Sequence, residues 1–310
     1  MANVLVLGGN GFIGTHTVDS LLRAGHTVTA FDLFSVSPPR WSEPGAVVYN
    51  GDFFDENDVR AAVDGNDIVV FLLSVLDASR PDDDPASELR DSVIPSIKLC
   101  EICVEMGVEH LYFASSGGTI YGDQADCILR ENSPTFPISP YAIGKLTVES
   151  YLRYFSRTSS LMSTALRISN PYGARQNPFK TQGVIPIFLR RVYDRLPLNI
   201  MGDGSMTRDY IFVNDLADII ACMITQNATQ EIYNIGSGQQ TSINAICDSI
   251  AVVTERSLSI NHVPVPPTYI DHVALDVSRL NREFGPFSYT SLHEGIKQTW
   301  FDICCSCDRH

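Results

Sequence analysis

The chain is short of positive charge. It carries 22 Lys and Arg against 36 Asp and Glu, a formal net charge of −14 over 310 residues. A field of that sign repels nucleic acid and anionic membrane surfaces, so neither is expected as a partner. A phosphate-bearing ligand is still allowed, because a few aimed backbone N–H groups and one Arg suffice locally. Long hydrophobic runs are also missing: nothing approaches the ~18 apolar residues of a membrane span. No basic segment precedes the apolar residues that begin at Val4, and a glycine turn follows them. This start reads as a strand, not a signal peptide. Paired cysteines are missing as well. The eight Cys stand at 100, 103, 127, 222, 247, 304, 305 and 307. Cys100 and Cys103 have a metal-like spacing but no second pair. Buried reduced thiols are expected there, and a frayed terminus at Cys304-Cys305-Ser306-Cys307. Together these features point to a reducing cytoplasm.

What is present is ordinary for a globular chain: 44% hydrophobic and 19% charged residues. The length suits one large domain or two intimate lobes. Short apolar runs, Val4–Leu7, Val28–Phe31, Val47–Tyr49, Ile68–Leu73 and Leu111–Ala114, read as strands. Helical spacing covers 12–24, Asp55–Val63 and Val93–Met106. That alternation predicts an α/β fold, a doubly wound parallel sheet with helices on both faces. The strands are nearly all apolar, as a sheet buried on both faces requires. After about residue 170 the prolines at 171, 178, 186 and 197 and the glycines at 202, 204, 236 and 238 break the pattern. We therefore divide the chain into a dinucleotide-binding domain over 1–169 and a smaller lobe over 170–310, some of whose segments return to the first. The acidic Asp82-Asp83-Asp84 run reads as a solvated loop.

The first strand ends in Gly8-Gly9-Asn10-Gly11-Phe12-Ile13-Gly14. Glycines at 8, 11 and 14 serve three needs: a tight turn, close approach of the backbone to a pyrophosphate, and close packing of helix on strand. The helix N-terminus behind them favours negative charge. Asp32 ends the next strand, 18 residues beyond Gly14, where a carboxylate binds a ribose 2′-hydroxyl and repels a 2′-phosphate. The expected cofactor is NAD. Arg40 is the one residue nearby that could favour a 2′-phosphate instead. Asp52, after the third strand, is placed for an adenine amino group, with Phe53 beside the ring.

Tyr141 and Lys145 stand four apart, on one face of a helix. An ammonium beside a phenol favours the phenolate and makes tyrosine a usable acid or base. The pair follows a strand ending in Ala114-Ser115-Ser116-Gly117-Gly118-Thr119-Ile120-Tyr121-Gly122. Strand ends of this kind hold the ligand in such folds, so a hydroxyl here could bind a reacting sugar oxygen.

The glycine turn, Asp32, the Ser-Ser…Tyr-Gly segment, Tyr141 with Lys145, Arg167-Ile168-Ser169-Asn170-Pro171-Tyr172-Gly173, and Gly202-Asp203-Gly204…Arg208-Asp209-Tyr210 occur in order. The ordered set resembles the NAD-dependent epimerase/dehydratase family of extended short-chain dehydrogenases, and within it the UDP-glucose 4-epimerases, over nearly the whole chain. The resemblance implies a Rossmann-type fold with a C-terminal substrate-binding lobe and a homodimer paired through helices near 93–106 and 141–157. It implies that Tyr141 is the catalytic base, that Lys145 tunes it and holds the nicotinamide ribose, and that Ser116 binds the sugar 4-oxygen. Leu72 and Ser74 would join Phe12, Ile13 and the glycines around NAD. Asn170 and Arg208 would hold the diphosphate of a UDP-sugar, with Val184 and Asn199 near its nucleotide.

The match has gaps. The segment from Ser116 to Tyr121 is one residue longer than the common form. Counting from the strand selects Ser116 as the hydroxyl; counting back from Tyr121 selects Gly117, which has none. Thr119 is the reserve. Phe71 stands where many relatives have His, and Asp91 near a usual Asn. A second diphosphate-binding Arg is missing from Pro266-Pro267-Thr268; Arg175 or Lys180 could supply its charge. Val273 occupies a position that gates sugar size in relatives, and its small side chain admits an N-acetylated sugar. The expected activity is 4-epimerisation of a nucleotide sugar. A 4-ketosugar reductase would use the same residues. A 4,6-dehydratase is disfavoured, because Gly117 and Gly118 occupy the place of its acid pair. A non-catalytic NAD-binding protein is the alternative of a different class.

Overall fold

The computed structural model describes residues 1–74, 84–124, 128–180, 182–265 and 272–307. The first half runs β1 (Asn3–Leu7), α1 (Phe12–Arg23), β2 (Thr27–Asp32), β3 (Val47–Asn50), α2 (Glu56–Val63), β4 (Ile68–Phe71), α3 (Ala86–Glu88), a π-helical turn over Leu89–Val93, α4 (Ile94–Glu105), β5 (His110–Ser116), β6 (Ile128–Leu129), α5 (Pro140–Thr158) and β7 (Met162–Ile168). The second runs β8 (Asn170–Tyr172), α6 (Val184–Tyr193), β9 (Leu198–Met201), β10 (Thr207–Arg208), β11 (Tyr210–Phe212), α7 (Val213–Thr225), β12 (Ile232–Ile235), β13 (Thr241–Ser242), α8 (Ile243–Thr254), β14 (Ile260–Val263), β15 (Ala274–Leu275), α9 (Ser278–Phe284) and α10 (Leu292–Cys307).

Seven strands form one parallel sheet in the order β12-β7-β5-β4-β1-β2-β3. This is the Rossmann-type arrangement. The chain leaves β1 for β2 and β3, then crosses back to β4 on the other side of β1. That reversal opens a crevice at the carboxyl ends of β1 and β4. Val4, Leu5, Val6 and Leu7 are all fully buried, because helices cover both faces. One face packs Val4, Val6, Val28 and Val70 against α1 and α7; the other packs Leu5, Leu7, Val69 and Phe71 against α2, α4 and α5. β12, from beyond residue 170, closes one edge of this sheet. A third core lies among the helices after residue 170, where Phe188, Leu189, Ile246, Ile250 and Ile296 join α6, α8 and α10.

Local sequence sets the boundaries. Ser139 caps α5 by accepting a hydrogen bond from the Ala142 N–H at 3.3 Å, and Pro140 opens the helix. Asp55 caps α2 through Asn57. The tail departs from expectation. Rather than fraying at Cys304, the chain continues α10 to Cys307. Ile296 and Ile303 bury there against this third core, and that burial holds the last turns. Cys100 and Cys103 are buried on α4; burial pushes the Cys100 thiol up to about 12 and Cys103 upward too. Cys127, Asp82 and Asp83 lie outside the described residues. Among the described residues no helix is long and apolar enough to cross a membrane.

Candidate active site

The glycine turn is built as a cradle for a ligand. Gly8 sits at φ +83°, and a Cβ there would lie 2.8 Å from the Leu73 amide nitrogen. A Cβ on Gly14 would run into the Gly8 carbonyl. Gly11 is the N-cap of α1 and has no side chain to occupy the helix's first N–H groups. Those groups stay available to an anion. Asp32 stands beside the turn, one carboxylate oxygen accepting from Asn10 N (2.9 Å) and the other from Leu33 N (2.8 Å). Each oxygen keeps a lone pair for a ribose hydroxyl. These residues fit the adenosine and pyrophosphate of NAD. The Arg40 guanidinium does not stand free for a 2′-phosphate: it donates to the carbonyls of Asn10 and Arg175. Asn10 in turn ties the 37–40 loop down, donating to the carbonyls of Ser37 (3.0 Å) and Pro38 (3.1 Å).

Asp52 is exposed and accepts from Phe54 N at 2.9 Å. The Phe53 ring turns into the core, 5.2 Å from Phe71, and Phe71 lies 5.6 Å from Phe113. Phe71 thus completes a row of rings. Leu72 continues β4 with a hydrogen bond from its N–H to Leu7 O at 2.9 Å. Ser74 lines a small cavity with Phe53 and Lys145.

Tyr141 and Lys145 lie at the start of α5, against the end of β5. Lys145 Nζ donates to the Ala114 carbonyl at 2.8 Å. It stands 4.7 Å from the Phe113 ring centre and 5.5 Å from that of Tyr141. Burial pushes Lys145 down to about 8, and the carboxylates of Glu88 and Glu149 oppose that. Ser116 ends β5, and Thr119 Oγ1 donates to Ser116 Oγ at 2.9 Å. The two candidate hydroxyls are therefore one hydrogen-bonded unit. Position 117 admits no side chain, because a Cβ would lie 2.8 Å from the Arg167 carbonyl and 2.5 Å from Leu275. Gly118 opens toward Asn170, whose amide is 3.9 Å from its Cβ position. The long glycine segment thus brings Asn170 of β8 beside the Ser116 loop.

The remaining substrate candidates sit beyond residue 169, on β8, α6, β9 and β10. Asn170 donates to the Asp209 carbonyl at 2.8 Å, and Arg208, half-buried on β10, donates to Thr207 O at 2.8 Å. Asp209 fixes their setting: buried, it accepts from the N–H groups of Ser237, Gly238 and Leu275. Val184 opens α6, and Asn199 lies exposed on β9. Val273 is buried with Ile120, Tyr121, Leu129 and Leu275. Arg175 is held at α1 by Asp19 (2.8 Å) and Ser42 (2.7 Å), so its charge is spent away from the substrate candidates. Residues 266–268 lie outside the described residues.

Sequence reasoning missed the buried groups that support this site. Glu149 pairs with Arg167 at 2.7 Å and accepts from Ser115 at 2.5 Å. Arg167 also donates to the Tyr121 hydroxyl (3.0 Å), which donates to Asn234 (2.6 Å). The network welds β5, α5, β7 and β12. One signal was available: Glu149 lies four residues past Lys145, on the same helical face. Glu88 was missed too, and the glycine at 144, inside a helix, was its only sign.

Comparison with known proteins agrees with this layout. The family described as "NAD dependent epimerase/dehydratase family" matches residues 4–236. A UDP-glucose 4-epimerase of Mycolicibacterium smegmatis is 30% identical, over 95% of this chain and 96% of its own. A dTDP-4-dehydro-6-deoxyglucose reductase of Escherichia coli is 28% identical, over 97% and 98%. The crystal structure of a Thermotoga maritima UDP-glucose 4-epimerase with UDP-glucose superposes with a TM-score of 0.90 at 30% identity, covering 98% of this chain and 99% of that one.

Proposed function

Since the chain belongs to the NAD-dependent epimerase/dehydratase family and takes NAD, we propose that it is a nucleotide-sugar 4-epimerase acting on a UDP-hexose or UDP-N-acetylhexosamine. The observation that carries this reading is the buried Lys145 ammonium held against the Tyr141 ring beside the Ser116–Thr119 hydroxyl pair. When bound, NAD supplies reversible oxidation at the sugar's C4. The chain's own residues supply the rest. Tyr141 takes the proton of the 4-hydroxyl and later returns it to the 4-oxygen, once hydride has been restored to the other face of C4. Lys145, fixed by the Ala114 carbonyl, favours the phenolate through its charge. Ser116, with Thr119 behind it, holds the 4-oxygen. Asn170 and Arg208 bind the diphosphate, with Val184 and Asn199 near the nucleotide. Gly8, Gly11, Phe12, Ile13, Gly14, Asp32, Asp52, Phe53, Leu72 and Ser74 surround the cofactor.

We assign residues 1–169 to cofactor binding and 170–310 mainly to substrate. Exposed Ile94 on α4 and Ile143, Tyr151 and Tyr154 on α5 support a homodimer paired through these helices. The small Val273 permits an N-acetyl group without favouring one. A second reading is a 4-ketosugar reductase, favoured by the full-length similarity to the Escherichia coli enzyme. The test is to purify the chain without added cofactor and supply UDP-glucose or UDP-N-acetylglucosamine. Retained NAD and an epimerised sugar, without added NADH, support the epimerase. Cofactor consumption that begins only with a 4-ketosugar nucleotide supports the reductase.

A further inference from the structure

Two buried carboxylates act on Lys145, and they differ in kind. Glu149 is matched within its own helix-to-sheet ion pair with Arg167. Glu88 is only 4% exposed, and among the described residues Lys145 is the one cation acting on it. α3 brings Glu88 against α5 at the one position in that turn without a side chain. A Cβ on Gly144 would lie 2.5 Å from Glu88 Cγ and 2.9 Å from Cδ. Gly144 has no positive φ, so the glycine is there for space. Glycine inside a helix is otherwise a cost. Glu88, Ser92 and Lys145 line the same small cavity. Burial pushes the Glu88 carboxyl above its ordinary value and Asp91 adds to that, while a hydrogen bond from the Ser92 side chain and the charge of Lys145 favour its ionised form. From its other sides Lys145 faces Glu149 and Tyr141 of its own helix, and Phe113 and the Ala114 carbonyl of β5.

We propose that Glu88 is a positioning residue whose carboxylate is the counter-charge holding Lys145 as an ammonium beside Tyr141, and that residue 144 is glycine to seat it. This rests on the reading of Tyr141 and Lys145 as the acid–base pair. Burial already pushes Lys145 down to about 8, and Glu88 is the larger of the two carboxylates opposing it. Without Glu88 the lysine loses its proton nearer neutral pH. The alkaline limb of the activity profile then moves to lower pH, while the acid limb moves little.

Only four lysines occur in the chain, at 98, 145, 180 and 297. Selective ¹³C labelling of lysine therefore gives a simple spectrum, in which Lys145 is the resonance lost in Lys145→Arg. Its titration needs neither substrate nor turnover. Glu88→Gln is expected to weaken the proton affinity of Lys145 by about tenfold or more, and Glu88→Asp to restore part of it. Gly144→Ala, which displaces the carboxylate while improving helix propensity, is expected to give the same fall. A Lys145 titration unchanged in Glu88→Gln and in Gly144→Ala overturns the proposal, even in an active epimerase. A chain that epimerises nothing yet shows the fall keeps Glu88 as counter-charge and rejects the assigned reaction instead.

Discussion

The glycine-turn end and the Lys145 end of the crevice are made of different materials. Around Gly8–Gly14 the working parts are backbone: N–H groups, a tight turn, and the absence of side chains. Around Lys145 they are buried and half-buried side chains from separate stretches: Glu88 on α3, Ser115 and Ser116 on β5, Glu149 on α5 and Arg167 on β7. The first site is local in sequence and tolerates little in shape. The second is assembled from afar and depends on charge. Substitutions should therefore fail differently at the two ends.

The largest effect is expected at Tyr141. Tyr141→Phe should lower kcat by about 10²–10⁴-fold while leaving NAD binding within a few-fold, checked by steady-state rates beside a cofactor titration. Loss of both together would erase the division between the two ends. Next is the buried ion pair. Glu149→Ala leaves Arg167 without its carboxylate at 4% side-chain exposure, and should cost about 3–5 kcal/mol in denaturant unfolding. At the cofactor end, Gly14→Ala forces a Cβ against the Gly8 carbonyl. It should destabilise by about 1–3 kcal/mol and abolish NAD retention, with the alkaline limb of any residual activity unmoved.

The pH response separates the ends further. Lys145 is pushed from 10.5 down to about 8 in the folded chain. Between those values the unfolded chain holds the proton and the native chain does not, so this lysine's contribution to stability grows more favourable as pH rises. Activity that needs the ammonium should fall over the same interval, by about tenfold per pH unit. Parallel pH profiles of rate and melting temperature check the opposite signs. The smallest effect belongs to Asn10→Ala, which frees the 37–40 loop and should cost about 1 kcal/mol. Its readout is faster loss of bound NAD with kcat unchanged.

The same contrast explains what was legible in the sequence. The glycine turn and Asp32 could be read directly, because a backbone-built site writes its constraints into neighbouring residues. The alternation of strands and helices fixed the sheet as far as β5 for a similar reason: buried parallel strands are apolar throughout. Tyr141 and Lys145 were visible as a helical pair. Glu88 was not, since nothing in 86–93 marks a carboxylate that will meet residue 144 across the fold. Arg175 misled because its charge is visible but its partner Asp19 is 156 positions away. Counting was split between Ser116 and Gly117, with Thr119 in reserve, and the folded loop joins the two hydroxyls by a hydrogen bond. The end of the chain looked frayed because its cysteines carry no helical signal, whereas Ile296 and Ile303 do their anchoring from inside the helix.

The central claim is best tested with a UDP-hexose carrying deuterium at C4, given to the purified chain without added NADH. A 4-epimerase gives a 4-epimer that keeps the deuterium at C4, because the atom removed from one face is returned to the other within one bound cycle. A product that forms only with added NAD(P)H, or one that has lost the label, would contradict it.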